Sequence, residues 1–186
     1  MSSELRVDKI IPTDGVPTGG GGGIIQVVSI SKRDIFTTTN GVTGSGYAPV
    51  TGLAATITPK FNTSKILVML QLSIGRSGNH RAYMRLGRTI AGGSLDNTII
   101  IGDANGSNTR NTNSFFGDGT SSMASVVTNF LDSPATTSAV TYQPAVCGNA
   151  GDNNVTIYVN RQGNSTGSST ADDVQTSSIT LMEISA

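Results

Sequence analysis

Apolar residues in this chain recur every second position, in short stretches cut off by polar turns. The stretch 65–74 shows it most fully: Ile66, Val68, Leu70, Leu72 and Ile74 fall on one parity. A period of two is the mark of a strand, whose successive side chains point to opposite faces. Similar stretches cover 24–30, 53–58, 81–86, 99–101, 114–116, 123–131, 139–143, 154–162 and 178–184. Clusters of Gly, Asn, Asp and Pro separate them, as turn chemistry requires. No helical period of useful length competes, and no fixed repeat suggests a propeller or solenoid. The pattern predicts an all-β protein, an antiparallel β-sandwich of jelly-roll-like type.

The 65–74 strand carries a second message. Leu67 and Met69 lie on the parity that should face water. A strand apolar on both sides is covered on both sides. In a helix-free domain of this size the second cover is either another copy of the chain or an internal loop folded over that face. Leu67 and Met69 are therefore the candidate interface residues, with the protein itself as partner.

Composition supports strands and narrows function. The 186 residues include 23 Gly, 24 Thr, 22 Ser and 14 Asn, and only 13% are charged, so helix formers are scarce. Lys+Arg 12 balances Asp+Glu 12 with no basic run, so nothing marks a nucleic-acid partner or an anionic membrane. The longest apolar run, 66–70, is far too short for a helical span, so no membrane insertion is expected. Charges at Glu4, Arg6, Asp8 and Lys9 occupy the place of a signal peptide's apolar stretch, which predicts synthesis and assembly in a cytoplasm. One cysteine, Cys147, excludes an internal disulfide.

The opening residues stand apart. Leu5 to Ile11 alternates apolar and charged positions until Pro12, Asp14-Gly15 and Pro17 break it, and five glycines, Gly19-Gly23, follow. Such a run reads either as a flexible linker or as a tight site where several backbones approach. The chain thus divides into an extended N-terminal attachment segment, 1–23, and a β-sandwich head, 24–186.

Residues for chemistry are few. His80 is the sole histidine, in a turn-like stretch, and the only glutamates are Glu4 and Glu183. Asp103, Asp118, Asp132 and Asp152 adjoin Gly, Asn or Ser, and Asp172-Asp173 follows the Gly/Ser/Thr-rich stretch 163–170, settings where aspartate commonly caps turns. Asp103-Ala104-Asn105-Gly106-Ser107-Asn108 faintly resembles a calcium loop but lacks the closing bidentate carboxylate. One His and one Cys exclude a transition-metal site, and the glycine run lacks the Lys-Ser/Thr ending of a phosphate-binding loop. The reading is a non-enzyme without catalytic residue, metal or cofactor. One constellation remains. Arg81, Tyr83 and Arg85 alternate with Ala82, Met84 and Leu86, so two guanidinium groups flank a phenol on the face opposite the core. Such a face suits an acidic sugar or a partner's carboxylate, or is an ordinary solvated strand face.

Several segments together resemble tail-fibre-like virion proteins of marine bacteriophages and cyanophages. They are Ser3-Glu4-Leu5-Arg6-Val7-Asp8-Lys9-Ile10, Gly19 to Val28, Val50 to Leu53, Ile57 to Val68, Phe130-Leu131-Asp132-Ser133-Pro134, Thr156 to Arg161 and Ser178 to Ile184. The resemblance covers most of the chain, 97–120 least. It implies a virion structural protein, a homotrimer, joined to other virion proteins through 1–23 and carrying a β-sandwich head, as tail fibre, spike or capsid appendage. Binding of a host-surface glycan by the polar loops 103–113 and 164–173 would fit that role. A capsid cement protein is the alternative within this class; a glycan depolymerase or a free lectin-like module are those outside it.

Overall fold

The structure, a computed structural model, describes residues 23–41, 46–117, 122–149, 155–170 and 172–185. The N-terminal segment 1–23, apart from Gly23, therefore lies outside the described residues. Twelve strands follow one another: β1 (Ile24–Lys32), β2 (Phe36–Thr38), β3 (Ala48–Pro49), β4 (Ala55–Ile57), β5 (Lys65–Arg76) and β6 (Arg81–Ile90). Then come β7 (Asp96–Ile100), β8 (Asn113–Phe116), β9 (Met123–Asp132), β10 (Val140–Gly148), β11 (Ile157–Val159) and β12 (Ser177–Ile184). No helix occurs among the described residues.

All pairings between these strands are antiparallel, and they form two sheets. The first runs β1–β12–β5–β9, with β11 and β2 continuing beside the far end of β5. In the second, β10 and β6 are central; β3 and β4 share one edge, β7 and β8 the other. The chain changes sheet six times, from β2 to β3, β4 to β5, β5 to β6, β8 to β9, β9 to β10 and β10 to β11. This is a jelly roll, an antiparallel β-sandwich of two interleaved Greek keys. Four of these crossings, those leaving β2, β5, β8 and β10, lie at one end of the sandwich, and the connections 58–64 and 133–139 cross at the opposite one. Gly23 and Ser185 lie at the other, where Ser185 N donates to Gly23 O at 3.0 Å.

The core follows the alternation. Ile66, Val68, Leu70, Leu72 and Ile74 are buried against Ala82, Met84 and Leu86 of β6, Val140, Tyr142 and Val146 of β10, and Ile179 and Leu181 of β12. Each such side chain contributes roughly 1.5–3 kcal/mol relative to exposure. The ten strands read from the alternation are present, with shifted ends. The two additional ones, β2 and β3, have three and two residues, too few for a period of two to show. β10 extends past Pro144, where the pattern suggested an end. Val50 N donates to Pro144 O at 2.9 Å, so the missing proline N–H faces the same edge. There the neighbour is interrupted between β3 and β4, so no ladder bond is lost.

Two buried polar clusters close the sandwich at its two ends. Near the termini, Asp132 at the end of β9 accepts from Arg88 Nη1 at 2.9 and 2.7 Å, Tyr142 OH at 2.6 Å and Ser133 N at 2.9 Å. Arg88 and Tyr142 belong to the second sheet and Asp132 to the first, so a fully satisfied ion pair ties the layers together. At the far end β5 changes partner, from β12 through Gln71 to β11 from Ile74. Asn160, fully buried, fills the junction in a left-handed conformation (φ 68°). Its Nδ2 donates to the carbonyls of Lys32 and Asp34 at 3.0 Å, its Oδ1 accepts from Ser177 Oγ at 2.6 Å, and its N donates to Ser73 O at 2.9 Å. Gly75 sits under the same segment, where a Cβ would lie 2.3 Å from Arg161 O.

Asn160→Ala leaves two carbonyls and a hydroxyl without partners in a dry site and keeps an unfavourable φ. It is expected to lower unfolding free energy by about 2–4 kcal/mol in urea titrations, whereas Asn164→Ala on the exposed loop changes it by less than about 0.5 kcal/mol.

Candidate functional site

The outer face of the first sheet can be read row by row from the strand register. Nearest the termini lie Ile24, Ile184 and Lys65. The next row crosses all four strands as Val27, Met182, Leu67 and Leu131. Then come Ser29, Thr180, Met69 and Asn129, and after them Ser31, Ser178, Gln71 and Val127. The last row is Ser73 beside Ser125. The face is thus apolar toward the termini and rich in hydroxyls toward the crossings, and Lys65 is the one charged side chain in these rows.

Much of the apolar half is open. Val27 is 55% exposed, Met69 41% and Leu131 48%, while Leu67 is half-buried between its neighbours. Of the nine large apolar side chains exposed among the described residues, five (Ile24, Val27, Met69, Val127 and Leu131) lie on this face. Such clustering on one face separates a candidate contact surface from scattered exposure. A shallow 140 Å³ depression bordered by Met69, Gln71, Val127, Asn129, Ser178 and Thr180 lies at its centre. The internal loop that could have covered Leu67 and Met69 is absent among the described residues. The chain's own cover reaches the other half of the face, where Ser73 Oγ donates to Thr176 O at 3.0 Å and Arg161 overlies Gly75.

The second sheet is treated differently, which corrects the expectation for Arg81, Tyr83 and Arg85. Ala82, Met84 and Leu86 do form the core face. The opposite face is not an open platform, because the chain folds its own segments over it. Tyr83 is 8% exposed, and its hydroxyl donates to Asn149 Oδ1 at 3.2 Å. Arg81 stacks on Phe116 at 4.9 Å. Arg85 stacks on Tyr47 at 4.2 Å and donates from Nε and Nη2 to Arg110 O at 2.9 and 2.7 Å. Tyr47 in turn hydrogen-bonds Asn111 Oδ1. The loop 103–113 is therefore pinned across this sheet, and a turn at Gly106 occupies the calcium-like stretch.

Several other polar side chains have structural partners. Glu183, buried, accepts from Lys60 N at 2.7 Å and from Gln26 Nε2, fastening the 58–64 connection. Arg76, buried, donates to the carbonyls of Gly78, His80 and Gly117 and stacks on Phe115 and Phe116, organising the crossing end. Asp172 accepts from Gln162 Nε2 and Thr166 N, both at 3.0 Å, within the loop after β11. Among the described residues no three His, Cys, Asp or Glu side chains gather as a metal site would need. Reading single residues missed Asp132 and Asn160 as organisers, since each resembles a turn residue until distant strands meet at it.

No family model matches the chain, and no curated protein matches it. Among solved structures the chain resembles one from the structure of infectious bursal disease virus Gt strain, with TM-score 0.44 and 13% identity over 97% of this chain and 46% of that one. A chain from the Gx strain gives 0.40 and 12%, again over 97% and 46%. The protein thus spans less than half the length of these structural matches, and at that distance the likeness bears on neither function nor assembly.

Burial pushes the Cys147 thiol up to about 11, against the smaller opposing influence of Tyr47 and Arg85. Burial likewise holds the Tyr47 and Tyr142 phenols above the ordinary tyrosine range. All three groups keep their protons in the folded state at a pH where the unfolded chain has begun to release them. The thiol's contribution is complete below about pH 8.5 and is lost as pH rises toward 11. That of the two phenols begins to fall only above about pH 10. Urea midpoints are expected to fall from about pH 9 upward, with Cys147→Ala shallower between pH 9 and 10. At pH 8 a maleimide is expected to modify Cys147 only after unfolding.

Proposed function

We propose that this protein is a structural component of a virus particle: a trimeric appendage of the tail-fibre or spike kind, joined to other virion proteins through residues 1–23. The observation that carries this reading is the open apolar row Val27–Met182–Leu67–Leu131, on a sheet that the chain covers for itself only around Ser73 and Gly75. A low-charge β-domain without a disulfide gains stability and slow unfolding from association, which a particle exposed outside the cell requires. Rotational symmetry builds such an appendage from one short chain. Jelly rolls serve in viral capsids, lectins and cupins, so the fold agrees with the reading by analogy only. The sequence resemblance points the same way. In this reading the crossing end, opposite the attachment segment, faces outward and meets the host surface.

Peptides of this chain are expected in purified particles, and immunogold labelling is expected to place it on the tail. Label spread evenly over the capsid would replace the tail appendage by a decoration protein, and absence from particles would overturn the proposal. Light scattering of the purified full chain is expected to give three times the 19.1 kDa of one copy.

A further inference from the structure

The two outer faces of the sandwich differ in a way that locates the contact. The second sheet is closed by the chain's own loop 103–113 and Tyr47. The first is closed by the chain itself only at the crossing end, around Ser73 and Gly75. Beyond Ser31, Ser125 and Val127, which are exposed next to it, what remains open is the termini half, holding Ile24, Val27, Met69 and Leu131. Together with the partly buried Leu67, Met182 and Ile184, these offer on the order of 500 Å² of apolar surface. That is about the apolar share of a standard interface, which buries roughly 800 Å² per partner. The rows hold no charged side chain apart from Lys65 at the border, and absence of charge marks the interior of contacts between like chains. Asn160 and Asp132 anchor both ends of the sheet, so the face is presented by a braced layer, with little ordering left to do on contact.

We propose that a second copy of this chain seats on the termini half of this face, across Val27, Met182, Leu67 and Leu131. The hydroxyl-rich half, with Ser31, Ser178 and Ser125, stays outside the contact. Because β1 begins at Ile24 beside this row, copies joined here bring the starts of their first strands to one side. Gly23 of every copy then lies on that side, and four of the six crossings of each copy lie at the opposite pole. One contact thus gives the assembly a gathered attachment side and a separate outward side. The inference rests on the reading of the protein as self-assembling and adds where and in which direction it assembles.

The test uses the full chain and matched charge variants, with mass followed by light scattering across a dilution series. Val27→Lys and Leu131→Glu place a charge in the row; Ser31→Lys and Ser125→Glu place the same charges in the hydroxyl half. Wild type and the serine variants are expected to stay multimeric, while either row variant weakens assembly by at least tenfold. Circular dichroism and urea midpoints confirm that each variant folds. As an independent measurement, Leu131→Cys in the multimer is expected to react with a maleimide at least tenfold more slowly than Ser125→Cys. A multimeric wild type whose row variants keep its mass, or whose two cysteines react equally fast, overturns this surface and leaves the virion reading standing. A wild type of 19.1 kDa at every concentration overturns self-contact. Its presence in particles would then assign the row to a different virion protein, whereas its absence would remove the virion reading as well.

Discussion

The fold depends on satisfying both edges of β5. On one side β9 pairs with it from Ile66 to Gly75 without interruption. On the other, β12 reaches only Gln71 and β11 begins at Ile74, so a gap opens in the middle of a buried ladder. Backbone groups left unpaired there would cost as much as the contacts around them contribute. Ser177 Oγ accepts from Ser73 N and the backbone N of Asn160 donates to Ser73 O, so both backbone groups of Ser73 are paired in the gap. This junction allows a sheet of four long strands to carry two short ones at its far end. It also folds the chain over the outer face at Ser73 and Gly75.

The unequal cover of the two faces follows. Apolar residues in a strand demand burial, but the chain meets that demand with loops only where its connections run. Four of the six crossings lie at one end of the sandwich and two, 58–64 and 133–139, near the termini, so more connections run at the first end than at the second. The second sheet draws its cover from the long connection between β7 and β8, fixed by Arg85 and Arg110. The row through Leu67 lies outside the reach of both. Its apolar character does not follow from the needs of one folded chain.

The same logic separates two apparently similar strand faces. On β5 the off-core parity is Leu67 and Met69; on β6 it is Arg81, Tyr83 and Arg85. By residue type the β6 face has the makings of a recognition surface and the β5 face those of spare core. In the folded chain the positions are reversed: the arginines stack on Phe116 and Tyr47 and hold a loop, while the aliphatic residues stay open. Guanidinium groups are as well suited to gripping their own chain's carbonyls as to binding a ligand, and composition does not distinguish these uses.

Alternation by itself determined that the protein is all-β, which parity of each long strand faces the core, and that one strand is apolar on both sides. These are local properties, set by side-chain direction along an extended backbone. The short β2 and β3, the passage of β10 through Pro144, the tie from Asp132 to Arg88 and Tyr142, and the plug at Asn160 were decided only in the tertiary structure. Each depends on segments far apart in sequence meeting with a particular register. A turn-former such as Asn or Asp acquires a buried role only when strands from elsewhere present it with unpaired donors and acceptors.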